Sequence, residues 1–168
     1  MGEEFYIFKA NALAPAETKT IDYTGPHPSK LLSMVGLIMQ EALKVKSTSF
    51  FEDHFKWDIS GDPIDFFGIW RCKDGKDERS TIWLKIRAHG RQSVKDKTGT
   101  IKIWIQSYVI VKIPYNNSLE KSLAWLHFRT FYYDQMRKYM KDAKRAAEEA
   151  ENAIRTALGM VPMVERWE

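Results

Sequence analysis

The chain has 168 residues, 44% hydrophobic and 29% charged, with a net charge of +4 and a pI near 9.1. That balance fits one globular domain with its own core and excludes a disordered polyelectrolyte. No run of 18 apolar residues is present to cross a membrane as a helix, the acidic start MGEEFYIFKA is unlike a secretory leader, and the one cysteine, Cys72, allows no internal disulfide, so a cytoplasmic protein is expected.

Residues 4–12 predict a first strand with Phe5, Tyr6, Ile7 and Phe8 as its apolar content, and residues 18–23 extend or pair it. Gly25, Pro26 and Pro28 break the pattern, and Ser29 is a helix cap for residues 30–46, where Leu31, Val35, Ile38, Ala42 and Val45 recur at helical spacing. Four strand-like runs follow, over residues 51–59, 64–72, 81–88 and 100–113. Each alternates with period two and short turns separate them, which predicts an antiparallel meander with one buried face. In the first run the alternation puts Phe51, Asp53, Phe55, Trp57 and Ile59 on the apolar side, so Asp53 is a candidate buried carboxylate.

Pro114 ends the strands, Asn117 reads as an N-cap with Glu120 as its capping-box partner, and no Gly or Pro interrupts residues 118–158 before Gly159 and Pro162. A straight helix of that length would measure roughly 60 Å, longer than a compact domain of this size, whose diameter is about 40 Å. Its first half is bulky and aromatic, its second half almost all alanine and charge. The expected division is therefore an α+β domain over residues 1–140, an antiparallel meander sheet packed on the long C-terminal helix, with residues 141–168 as a helical extension and apolar tail.

The order strand, helix, four strands, long helix resembles the helix-grip architecture of the START and birch-pollen-allergen proteins, and a related order builds each half of the TATA-binding protein. The resemblance lies in element order over residues 4 to about 140 and implies a curved antiparallel sheet wrapped around the C-terminal helix. It carries over no functional residue.

No nucleotide-binding, zinc-protease or paired C-x-x-C motif is present, and His27, His54, His89 and His127 are scattered, so no enzyme chemistry, metal or cofactor is expected. Three binding readings remain. In the first, an apolar small molecule or lipid sits between sheet and helix, lined by Trp57, Trp70, Trp125, Phe128, Tyr132, Tyr133, Met136 and Tyr139; aromatic stripes at helical spacing are more often simply core. In the second, RNA or single-stranded DNA binds the opposite sheet face, where Arg71, Trp83, Lys85, Arg87, Arg91, Lys102 and Trp104 interleave cations with flat rings. A hairpin centred on residues 93 and 94 would set Trp83 opposite Trp104. In the third, Ala143, Ala146, Ala150, Ala153 and Ala157 form a coiled-coil-like seam for a second copy of the chain.

Overall fold

Six antiparallel strands with helices on one of their faces make up the protein in a computed structural model, which describes residues 4–161. The strands are β1 (Glu4–Asn11), β2 (Lys19–Pro26), β3 (Phe50–Asp58), β4 (Ile64–Gly75), β5 (Ser80–Gln92) and β6 (Thr98–Tyr115). Their order across the sheet is β1, β6, β5, β4, β3, and β2 also pairs with β6. At 18 residues β6 is long enough to hold two partners on one edge. Glu4 to Asn11 pair with Tyr115 to Tyr108, and Lys19 to Pro26 pair with Ile105 to Thr98. The α+β class and the antiparallel sheet on a C-terminal helix are as the sequence predicts. The strand count rises to six because the second N-terminal run pairs with β6 and not with β1.

Period two does what it should on β5 and β6. Ile82, Leu84, Ile86 and Ala88 line the inner face beside Ile101, Ile103, Ile105, Val109 and Val111, all buried. The helices α1 (Val35–Leu43), α2 (Ser118–His127) and α3 (Tyr133–Ala157) lie on this side. The single helix expected over residues 30–46 is a 3₁₀ segment, Pro28–Ser33, followed by α1. Ser29 does not cap a helix; its hydroxyl donates to Gln92 Oε1 at 2.7 Å. Lys44, in the left-handed region at φ 58°, ends α1.

The C-terminal helix begins and ends as its sequence dictates. Asn117 Oδ1 accepts the Glu120 N–H at 2.8 Å, and Glu120 Oε2 accepts the Asn116 N–H at 2.8 Å. At the far end Gly159 takes φ 72°, with Met160 N–H bonded to Arg155 O and Gly159 N–H to Thr156 O, a Schellman closure. Between these ends the helix is not uniform, because Phe128–Tyr132 is a π-helical turn joining α2 to α3. Ala124, Phe128, Tyr132 and Met136 recur every four residues. Three α-turns take about 11 residues, one fewer than this stripe uses, and a π-turn absorbs the extra one. Phe128 can then stack on Phe8 of β1, ring centroids 3.7 Å apart.

The second half of the helix is packed more closely than expected, and the first half only in part: Ala124, Phe128 and Met136 are buried, while Leu119, Leu123 and Leu126 are exposed. Ala143, Ala146, Ala147, Ala150 and Ile154 of α3 have no exposed surface and pack against the sheet and α1. Small side chains let the helix approach closely enough for Ser107 of β6 to donate to Ala143 O at 2.8 Å. Ala153 and Ala157 are partly buried against the same core. The alanine seam read as a surface for a second copy is thus consumed within the chain, and residues 141–157 belong to the fold. Glu151, 5% exposed, ties the helix to β2 through Lys19 at 3.0 Å and is also held by Arg155. The apolar tail expected to follow, beyond residue 161, lies outside the described residues.

Candidate nucleic-acid interface

The face of the sheet turned away from the helices is built by the alternate residues of β3 to β6 and β1. The hairpin joining β5 to β6 turns at Ser93 to Lys97, with Lys97 at φ 60° and Asp96 Oδ1 accepting from Thr98. This sets the register. Trp83 lies opposite Tyr108, and Trp104 lies opposite Arg87. The expected Trp83–Trp104 pair is therefore replaced by two rings four residues apart along the hairpin, roughly 13 Å.

Each ring carries a cation. The Arg71 guanidinium lies 5.0 Å from the Trp83 centroid, Arg87 lies 4.1 Å and the Lys102 ammonium 5.7 Å from Trp104, and Lys9 lies 4.3 Å from Tyr108. Such stacks hold the charge over the ring quadrupole. Lys85 sits between them, opposite Gln106 and Arg71. Arg87, Arg91 and Lys102 are exposed, while Arg71, Trp83, Lys85 and Trp104 are half-buried. All seven residues expected on this face are on it.

Two open grooves mark the ends of the face. One, about 540 Å³, is lined by Arg71, Lys73, Arg79, Trp83, Tyr108 and Lys112 with Phe5 and Glu78. The other, about 430 Å³, is lined by His89, Arg91 and Lys102 with Asp22 and Thr100. Carboxylates fix some of the cations. Asp65 accepts from Arg91 Nε at 3.0 Å and lies 3.2 Å from His89 Nε2. Burial acts to raise the Asp65 pKa, but those two bonds outweigh it and hold it below the usual carboxylate range.

Asp53 is on this face as well, bonded to Arg71, and it is exposed. A β-bulge explains the difference from the sequence expectation, since Glu52 pairs with Trp70 and His54 with Ile69, leaving Asp53 between them. The bulge also turns Phe51 outward, 6.3 Å from Trp83, with Lys73 over its ring. Phe51 and Lys9 are the members that sequence reasoning missed. The adjacent pair Phe50-Phe51, which strict alternation cannot place on one face, is the signal for the first.

The eight side chains expected to line one pocket do not meet. Phe128, Tyr133 and Met136 join Phe8 and Met140 in a groove of about 460 Å³ between β1 and the helix, which Arg137 and Lys141 also line. Trp57 and Trp70 lie on β3 and β4, at the other end of the strand order. Trp70 is buried, its indole N–H donating to Glu52 at 2.9 Å. Trp125 is 43% exposed. The hydroxyls of Tyr132 and Tyr139 both donate to Asp77 in the turn between β4 and β5, and Tyr132 also bonds Ser80. Burial, then the bond to Asp77, push the Tyr132 pKa up to about 12. These tyrosines clamp the helix to the sheet.

Burial likewise raises the Cys72 thiol to about 11, so it stays protonated at neutral pH and is a poor nucleophile. Among the described residues no three His, Cys, Asp or Glu side chains gather to hold a metal ion, and no helix is long and apolar enough to cross a membrane. The chain matches no protein-family model and no curated protein.

Proposed function

We propose that the protein binds single-stranded RNA or DNA on the outer face of its sheet. The observation that carries this reading is the set of three aromatic rings, Trp83, Trp104 and Tyr108, each with a cation seated over it. A flat ring beside a fixed positive charge suits a chain of bases and phosphates, because every base can stack and every phosphate can be neutralised, whatever the sequence. The rings stand on strands, so their spacing is preset and little ordering is required on binding.

Titration of a labelled single-stranded oligonucleotide at several salt concentrations tests it. If Lys85, Arg87, Arg91 and Lys102 each neutralise one phosphate, log K should fall against log salt with a slope of about −3. Absence of binding at micromolar protein in low salt, or an affinity indifferent to salt, would remove the proposal.

The groove between β1 and the helix supports a second reading, a site for an amphiphile. Its lining combines apolar Phe8, Phe128, Met136 and Met140 with the cations Lys9, Arg137 and Lys141, which fits an acyl chain with an anionic head. A long-chain fatty acid at about 100 times its Kd should raise the melting midpoint by roughly 5–10 °C. An unmoved midpoint would exclude it.

A further inference from the structure

Helix α2 reads SLEKSLAWLH, and its leucines are not on the side that meets the sheet. Ala124, with Phe128 just beyond the helix end, points into the protein. Leu119, Leu123 and Leu126 fall on the opposite side of the helical wheel and are 71%, 54% and 53% exposed. Trp125 and Phe131 are exposed as well, the latter 75%. A surface helix normally turns its apolar stripe to the core and polar residues outward. Here Glu120 and Lys121 flank the buried Ala124, and the three leucines lie on the side that the sheet does not cover.

From this we infer that α2 is the interface through which two copies of the chain pair. The argument rests first on size. These five side chains offer roughly 600 Å² of surface, at the top of the range that a monomer's largest apolar patch reaches and about three-quarters of the ~800 Å² per partner of a standard interface. The second ground is shape. Leu123 also walls a recess of about 330 Å³ with Ile113, Pro114, Ala124 and His127, directly beside the leucine ridge. A ridge next to a recess on the same surface is what a two-fold axis needs, because each copy's ridge can enter the other's recess. Arg79 and Glu120 border the recess with one charge of each sign, so the pairing forces no like charges together. A membrane surface fits less well, since α2 itself contains one acid and one lysine and lacks a basic stripe.

Sedimentation of the full chain from roughly 1 to 100 µM tests this. The wild type should sediment at twice the 19.6 kDa chain mass. A Leu123→Glu/Leu126→Glu variant should sediment as a monomer with its circular dichroism unchanged. Leu119→Lys, at the most exposed of the three leucines, should weaken pairing at least tenfold and serves if the double variant fails to fold. A wild type that stays monomeric throughout, or a dimer that survives both variants, overturns the inference. A monomeric wild type that binds phosphatidylserine vesicles overturns it too and assigns α2 to a membrane surface.

Discussion

Replacing Ala147 and Ala150 with leucine is expected to destabilise the protein by about 3–6 kcal/mol, a large part of the 5–15 kcal/mol that holds a domain of this kind folded. Both alanines have no exposed surface. Each leucine adds three carbons where α3 meets its neighbours, close to the point where Ser107 bonds the helix backbone. The helix would have to lift from the sheet or the strands deform, and interiors are too densely packed to absorb either without cost. Guanidinium denaturation followed by circular dichroism would measure it as a lower midpoint at nearly unchanged slope. A change within ~0.5 kcal/mol, as for ordinary surface positions, would mean that the alanine face is not packed as described.

The second large effect concerns binding. Trp83→Ala with Trp104→Ala should weaken affinity for a single-stranded oligonucleotide by roughly 30-fold to 10⁴-fold, since each ring removed forfeits about 1–3 kcal/mol of stacking. Arg87→Lys keeps the charge over Trp104 but loses the flat guanidinium, so it should weaken binding less than removing the ring and leave the salt slope nearly unchanged. Trp57→Ala is the control. Trp57 sits on β3 opposite Phe66, on the other side of the sheet, and its loss should leave binding intact. Affinity that survives the double tryptophan variant, or falls equally in Trp57→Ala, would take the site off this face.

Much of this was legible in the residues. Asn117, Glu120 and Gly159 announce the helix ends because caps are short-range chemistry, and period two announces β4 to β6 because one face of each is buried. What escaped has physical causes as well. Bulk is a core signal, so the large residues of the first half, Trp125 among them, are expected inward and the alanines outward. Where α3 comes closest to the sheet, packing favours small residues at the contact, and nothing local to the helix reveals which positions make it. The hairpin register depends on where the turn sits, and its centre, between Lys95 and Asp96, lies two residues beyond the point chosen by symmetry. On the outer face, parity alone placed Arg71, Trp83, Lys85, Arg87, Lys102 and Trp104 correctly, while the bulge at Asp53 reversed the parity of its neighbours.

The bulge has a counterpart at the opposite border of the sheet. There β1 and β2 share the edge of β6, and residues 12–18 separate them. At the near border β3 is interrupted at Asp53. Each outer strand is thus broken part-way along, so neither offers a long, flat row of unpaired amides to a neighbouring molecule. Such breaks guard against strand-by-strand stacking into fibres, and they leave lateral growth of the sheet a poor route for copies of this chain to associate.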